Sequence, residues 1–324
     1  MSGREHLIQA ARSAVVEVMA EEESVVVIGE DVRAGGPFSL TKGLADRYGD
    51  ARVRDTPICE LAFTGAAIGM ALGGARPFVD LMFNDFITVA SDQLFNNAAK
   101  LHFMSGGRYS VPLAVWTIAG AGTRWGAHHS QHLEGWLTQV PGLKVLAPSS
   151  PAMAHASVRA ALLDPDPVVV VADRALLYSR EPLTGDEGSP WHPRVVREGS
   201  DVTVVTTGRL THLALQVAEA AEPSMEIIDM QRLAPLDIGA VIESLQTTSR
   251  LVVAHDEASC GGLAASLVKA IYQEAFWMLD GPVVTLTSPA TPVPAAATLE
   301  DAYMLTADDL RRAVDAAAGL GAAA

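Results

Sequence analysis

The sequence predicts an α/β protein built as two parallel-sheet halves, the second smaller than the first. Short β-branched runs alternate with Ala-rich helical stretches along most of the chain, the pattern of parallel strands joined by crossover helices. The runs Val202-Thr-Val-Val205 and Leu251-Val-Val-Ala254 are nearly continuous in apolar character, which suits strands covered on both faces. The rhythm breaks over residues 180–199, where three prolines and three glycines fall among acids. Such a segment reads as a linker. The expected division is therefore 1–185 for the first domain, 186–200 for the linker and 201–324 for the second domain.

In chain order, the first half offers strands at 24–28, 77–82, 112–117, 144–147 and 167–171. Helices are expected between them at 6–20, 92–102 and 151–163, and the Gly/Ala-rich stretch 63–75 reads as a tightly packed helix. The second half offers strands at 201–207, 225–229, 250–255 and 283–287, with helices at 210–221 and 263–272. The Ala-rich tail after Asp315 reads as a frayed end.

Bulk properties narrow the function classes. The 324 residues suffice for two domains with a large core. Net charge is −15, from 38 acids against 23 bases, and no Lys/Arg cluster appears. Nucleic acid and anionic membrane surfaces are thus poor partners. No apolar run reaches the length of a bilayer span. Only two cysteines occur, Cys59 and Cys260, and the N-terminus lacks a signal-peptide core. Both features fit a reducing cytoplasm.

Three segments carry candidate chemistry. Asp55-Thr-Pro-Ile-Cys-Glu60 runs into Leu61-Ala-Phe-Thr-Gly65-Ala-Ala-Ile-Gly69. Pro57 favours an extended approach, and the small residues behind it let backbones come close. Glu60 is then a carboxyl prone to burial, with a raised pKa or a shared proton. The bland alternative is a glutamate favoured by a helix N-terminus. The second segment is Gly120-Ala-Gly-Thr-Arg-Trp-Gly-Ala-His128-His129-Ser-Gln-His132. A Gly-rich loop ending in histidines suits proton transfer at a cleft. The spacing of His128 and His132 also admits zinc, although no HExxH pattern or third ligand accompanies it. Loop histidines at an interface are the plain alternative. In the third segment, Asp80-Leu-Met-Phe-Asn-Asp-Phe86, Phe83 and Phe86 are either core residues or a platform for a flat heterocycle.

The order of landmarks adds more. Gly29-Glu-Asp-Val32, Thr41-Lys-Gly-Leu44, Arg54-Asp-Thr-Pro-Ile-Cys-Glu60, Gly73-Gly-Ala-Arg-Pro77 and Asp92-Gln93 come first. Ala98-Ala-Lys100, Ser105-Gly-Gly107, Trp125-Gly-Ala-His-His-Ser-Gln131, Pro141-Gly-Leu-Lys-Val145, Asp164-Pro-Asp-Pro167 and Leu177-Tyr178 follow. In this series the chain resembles the beta subunit of the decarboxylase component of 2-oxo acid dehydrogenases, in the transketolase-like superfamily. The likeness spans nearly the whole chain and is densest from Asp55 to Pro148.

That resemblance implies a pyrimidine-type thiamine diphosphate-binding domain followed by a transketolase C-terminal-like domain. It implies thiamine diphosphate held between two chains, with the diphosphate and Mg2+ on an alpha subunit. No Gly-Asp-Gly followed by a distant Asn is present in this chain; Gly185-Asp-Glu-Gly188 is only superficially similar. By position, Glu60 matches the glutamate that hydrogen-bonds the pyrimidine ring nitrogen and activates the coenzyme. Phe86 matches the aromatic packed on that ring, and Ile58 would line the same pocket. His129 matches a histidine that orients substrate or handles protons during acyl transfer to lipoamide. Glu30 matches an acid near the coenzyme. A monovalent-cation loop, occupied by K+, would use backbone oxygens near Leu113, Ala161, Leu162, Asp164 and Asp166; a plain helix-ending turn is the alternative. Asp256 and Glu257 would sit at a strand end in a second domain serving assembly and docking. The implied partners are the alpha subunit, a second copy of this chain in a two-alpha two-beta assembly, and a lipoyl acyltransferase core.

The pattern departs from the family at Trp116, Met153, His155, Ala264 and Ala290-Thr291. None of these touches Glu60, Phe86 or His129, but they leave the substrate and the acyl acceptor open. Pyruvate, branched-chain 2-oxo acids and acetoin all remain candidates. A split transketolase-like carboligase subunit and a non-catalytic scaffold are the competing readings.

Overall fold

The computed structural model describes residues 5–180, 188–219 and 222–320. The boundary expected at 185/186, most of Gly185-Asp-Glu-Gly188 and the last four alanine-rich positions lie outside the described residues.

The first half opens with helix α1 (Leu7–Glu21) and strand β1 (Val25–Gly29), then α2 (Leu44–Tyr48), β2 (Val53–Asp55), α3 (Glu60–Leu72) and β3 (Arg76–Phe83). A longer helix follows in three parts: α4 (Ile87–Ser91), a π-helical stretch (Asp92–Ala98) and α5 (Ala99–Met104). Next come β4 (Ala114–Ala119), α6 (Glu134–Thr138), β5 (Lys144–Leu146), α7 (Pro151–Leu163) and β6 (Val168–Asp173). The second half contains β7 (Arg194–Arg197), β8 (Val202–Thr206), α8 (Arg209–Ala218), β9 (Met225–Asp229), β10 (Arg232–Ala234) and α9 (Gly239–Thr248). It closes with β11 (Leu251–Ala258), α10 (Gly262–Glu274), β12 (Val284–Ser288), α11 (Ala297–Tyr303) and α12 (Ala307–Ala317).

These strands form two sheets. The first has the order β10-β5-β6-β4-β3-β1-β2, and the second β12-β11-β8-β9-β7. All neighbours are parallel except β10 on β5 and β7 on β9. Strands β1, β4, β6 and β8 are buried at every position, because helices cover both faces of each sheet. On one face of the first sheet, α1 buries Leu7, Ala11, Ala14, Val15 and Val18 against α7, the spacing of a helical apolar stripe. Helix α7 starts where Ser150 caps Met153 N and Pro151 takes the first turn. The opposite face carries α3 and the long helix. Gly65 leaves room there for Gln93 of the π-helical stretch: a Cβ on it would lie 3.0 Å from Gln93 Oε1 and would push that side chain aside.

Four features depart from the sequence-based expectation. Residues 194–197, inside the segment read as linker, form edge strand β7, paired antiparallel with β9. Strand β10 belongs to the second half of the chain but completes the first sheet, with Arg232 opposite Leu146 and Ala234 opposite Val145. The helix expected at 92–102 begins at Ile87 and widens into π geometry where Asn97 Nδ2 donates to Asp92 O at 3.3 Å. The tail does not fray at Asp315: α12 runs to Ala317, and Gly319 closes it with Leu320 N donating to Asp315 O.

The halves meet through both apolar and charged contacts. One apolar cluster joins Val145, Val169 and Leu137 of the first half to Val205, Ile228, Met230 and Leu233 of the second. Gly135 and Gly262 nearly touch, since a Cβ on Gly135 would lie 2.5 Å from Gly262 Cα. Around them, Glu257 accepts from Gly135 N (2.6 Å) and Leu263 N (2.8 Å), and Asp256 pairs with Arg209 at 2.5 Å. Asp256 and Glu257 do end β11, but they are buried here and not presented for docking. His132 Nδ1 lies 2.9 Å from Glu134 Oε1, and its ring is 6.1 Å from that of His255. Burial opposes charge on His132, but Glu134 outweighs it and lifts the pKa to about 9, above the ordinary 6.5.

A raised histidine pKa means that the folded state holds the proton more tightly than the unfolded chain. The stabilisation is complete below about pH 6.5 and is lost as pH rises through about 9. We expect thermal stability to fall between pH 7 and pH 10 by on the order of 1–2 kcal/mol, read by unfolding at each pH. His132→Gln should flatten that slope; an unchanged slope would remove His132 as its source.

Candidate active site

Every functional candidate of the first half except the cation loop gathers at one edge of its sheet. Strands β1, β3, β4 and β6 are adjacent and parallel, so the segments leaving their carboxyl ends converge. Glu30 follows β1, Phe86 follows β3, the 120–133 loop with His129 follows β4, and Arg174 follows β6. The carboxyl edge of a parallel sheet is where open α/β folds bind ligands. Glu60 reaches the same edge from the segment after β2, as the first residue of α3.

Glu60 is 8% exposed, and its carboxyl makes no hydrogen bond among the described residues. Glu30 faces it with Oε1 buried and unpaired. Burial, and then the Glu60 carboxyl, raise the Glu30 pKa. Asp80, buried on β3 behind them, has its pKa pushed up to about 6 by burial, although Met82 N donates to it at 3.0 Å. Glu30 and Asp80 are thus biased toward their neutral forms at a site they share with Glu60. Ile58 is 83% exposed beside them and lines no closed pocket in the single chain.

The aromatic side is better formed. His129 stands edge-on to Phe83 at 4.8 Å and to Phe86 at 5.6 Å, with Trp125 at 5.9 Å. Phe38 extends the group, 5.5 Å from Phe83. Phe86 is half-buried, so an edge of the group stays open to a flat ligand. Arg174, 3% exposed, lies over Phe83 at 5.0 Å and Trp125 at 5.7 Å. It donates to the carbonyl of His129 and to Thr123 Oγ1. Burial lowers its pKa to about 10, which leaves it charged near neutrality. Gln131 ties the loop to Asp85 at 2.7 Å. Phe38, Asp80 and Arg174 were not singled out from sequence as site residues. No local spacing marks them; only the adjacency of β1, β3, β4 and β6 does.

The residues suit a heterocyclic coenzyme ring better than a metal. Unbonded carboxyl oxygens can accept from a ring N–H or amino group, and Phe86 can pack on a ring face. Among the described residues no group of three His, Cys, Asp or Glu side chains is arranged to hold a metal ion. His128 is exposed while His132 is turned to Glu134, so the two do not form a zinc pair. At the expected cation loop, several of the named oxygens have partners within the protein. Leu113 O accepts from Val168 N, and Arg76 Nη1 donates to both Leu162 O and Asp164 O at 3.1 Å. Lys144 Nζ lies 2.7 Å from Asp164 and 3.0 Å from Asp166. Ala161 is buried in α7 beside that turn.

Known proteins bear on this geometry. Residues 6–179 match the model of the transketolase pyrimidine binding domain, and residues 192–310 that of the transketolase C-terminal domain. The chain is 37% identical over 318 residues to the pyruvate dehydrogenase E1 component subunit beta-3, chloroplastic, of Oryza sativa subsp. japonica, covering 95% of this chain and 81% of that one. It is also 37% identical over 320 residues to the acetoin:2,6-dichlorophenolindophenol oxidoreductase subunit beta of Cupriavidus necator, covering 94% of each. Among solved structures, a split gene transketolase described as an inactive beta4 tetramer superposes with a TM-score of 0.79 at 23% identity, over 98% of this chain and 99% of that one; that likeness concerns the fold. With both domain models in sequence and this identity along nearly its full length, the chain belongs to the family of E1 beta subunits of the thiamine diphosphate-dependent 2-oxo acid dehydrogenases.

Proposed function

We propose that this chain supplies the pyrimidine half of a thiamine diphosphate site shared with an alpha chain. The two-chain enzyme decarboxylates a 2-oxo acid and passes the acyl group to lipoamide. The observation that carries this reading is Glu60, largely buried beside Glu30 and without a hydrogen bond among the described residues, at the sheet edge that also carries Phe86 and His129.

When bound, thiamine diphosphate supplies a nucleophilic carbon for the 2-oxo group and takes up the electrons released with carbon dioxide. Glu60 holds a proton at the pyrimidine ring nitrogen. Glu30, biased toward its neutral form by burial and by Glu60, avoids a second full charge at that spot. Phe86 would pack on the ring, and Ile58 would line the same pocket. His129, steadied by Phe83 and Phe86, orients the substrate and moves a proton during acyl transfer.

A partner is needed on two grounds. The sequence carries no Gly-Asp-Gly followed by a distant Asn, which agrees with the diphosphate and magnesium lying on the alpha chain. The outward side of this region is also unusually apolar for a free surface: Ile58, Leu61, Leu72 and Val89 are all exposed. An alpha chain, and a second copy of this chain in a two-alpha two-beta assembly, would cover it. A lipoyl acyltransferase core is the acyl acceptor in this scheme. Both cysteines are unpaired and exposed, as suits a reducing cytoplasm, and no helix among the described residues is long and apolar enough to cross a membrane. Pyruvate and acetoin, after which the relatives are named, are the first substrates to test, followed by branched-chain 2-oxo acids.

In the enzyme reconstituted with its alpha chain, Glu60→Gln should lower turnover by at least ~100-fold while assembly is unchanged by light scattering. Activity within a few-fold of wild type would reject the assigned role. His129→Ala should slow lipoamide acylation more than decarboxylation followed with an artificial electron acceptor. Equal losses in both half-reactions would reject the acyl-transfer role, and carboligation without lipoamide reduction would favour a split transketolase-like enzyme.

A further inference from the structure

We propose that Glu300, from the second half of the chain, is a positioning residue that sets the conformation of the His129 loop. The proposal rests on the role given to His129 above.

Residues 120–133 contain no helix or strand, so side chains must specify the path of this loop. Glu300 lies on α11 and is 0% exposed. Its Oε1 accepts from Gly122 N at 2.8 Å and Arg124 N at 3.2 Å. Its Oε2 accepts from Arg124 N at 3.0 Å and from Arg124 Nη1 at 2.5 Å. Asp301, the next residue, takes the other arm of the guanidinium at 2.5 Å. A fully buried carboxylate is costly unless its lone pairs are used, and here the described donors all come from this loop. Arg124 has φ +66°, a left-handed conformation that a non-glycine residue holds only when its surroundings impose it.

The loop is gripped from the other side as well. Arg174 donates to the carbonyl of His129 and to Thr123 Oγ1, and Glu300 is among the acids acting on it. One carboxylate therefore gathers the N–H groups early in the loop, and one guanidinium gathers acceptors on either side of Trp125. Between these anchors the imidazole is pressed edge-on against Phe83 and Phe86. A small shift of α11 would be transmitted to His129 through five residues of chain whose ends are both fixed.

An ordinary interdomain ion pair would affect stability and assembly alone, so the test reads the loop and the half-reactions separately. The two-chain enzyme is prepared as wild type, Glu300→Ala, Glu300→Gln, His129→Ala and the Glu300→Ala/His129→Ala double variant. With Glu300→Ala, amide hydrogen exchange across residues 122–131 should rise at least ~10-fold while β4 and β6 keep their protection. Lipoamide acylation should lose about 10- to 100-fold in kcat, with the KM for the 2-oxo acid and decarboxylation to an artificial acceptor both changed less than about threefold. Glu300→Gln, which keeps one acceptor oxygen, should fall between the two, and the double variant should be no slower than His129→Ala. Unchanged loop exchange in Glu300→Ala overturns the proposal. So does faster exchange with normal acylation, provided His129→Ala is impaired. If His129→Ala acylates normally, the reading of His129 fails instead, and loop exchange alone then decides for or against the clamp. Should Glu300→Ala not assemble, Glu300→Gln carries the same comparison: exchange and acylation both at wild-type values reject the proposal.

Discussion

Glu60, a largely buried residue whose carboxyl makes no hydrogen bond among the described residues, is the constraint around which the first half is organised. Burial of an unbonded polar group works against folding, and Glu30 Oε1 beside Glu60 is such a group, so this corner has to be held by its surroundings. Pro57 leads the chain in from β2, and α3 begins at Glu60 itself. Gly65 then leaves room for Gln93 of the π-helical stretch behind. Glu30 and Asp80 crowd the same space with two more acids whose pKa values are raised. A chain that needed only stability would have placed an arginine among them. Leaving the group without a cation reserves it for a partner that arrives from outside.

The second half does more than extend the molecule. Its β10 finishes the first sheet, its Glu257 receives the start of α6, and its Glu300 receives the loop before it. The junction combines apolar packing with buried charges that are almost all paired; Glu134 Oε2 is an exception. Buried pairs of this kind add little net stability compared with apolar packing but penalise misalignment heavily. The junction is therefore suited to fixing the relative position of two sheets, which the catalytic loop between them requires.

Much of this was legible in the sequence, and the exceptions have physical causes. Nine strands followed from β-branched runs, because strands covered on both faces must be apolar throughout. Glu60, Phe86 and His129 could be singled out because each sits in a motif with local character. β10 could not: Arg232-Leu-Ala is too short to show a period, and it forms only because β5 presents a free edge. β7 was masked by the prolines around it. The burial of Asp256 and Glu257 could not be read from sequence because their partners, Arg209 and Gly135, lie far away along the chain. The partners of the expected cation loop were hidden for the same reason, since Arg76 reaches it from 86 positions away. Arg174 and Glu300 carry no motif at all; their importance comes from what the topology sets opposite them.

The exchange of β10 between the halves also has a consequence for how the chain can be divided. Two domain families meet near residues 180–191, and a cut there looks natural on paper. It would strip β5 of its antiparallel neighbour and expose to water the apolar cluster that both sides share. Bare sheet edges and open apolar faces invite aggregation. Neither fragment is an autonomous building block, and gene fusions or truncations that respect the family boundary would still sever the protein through its middle.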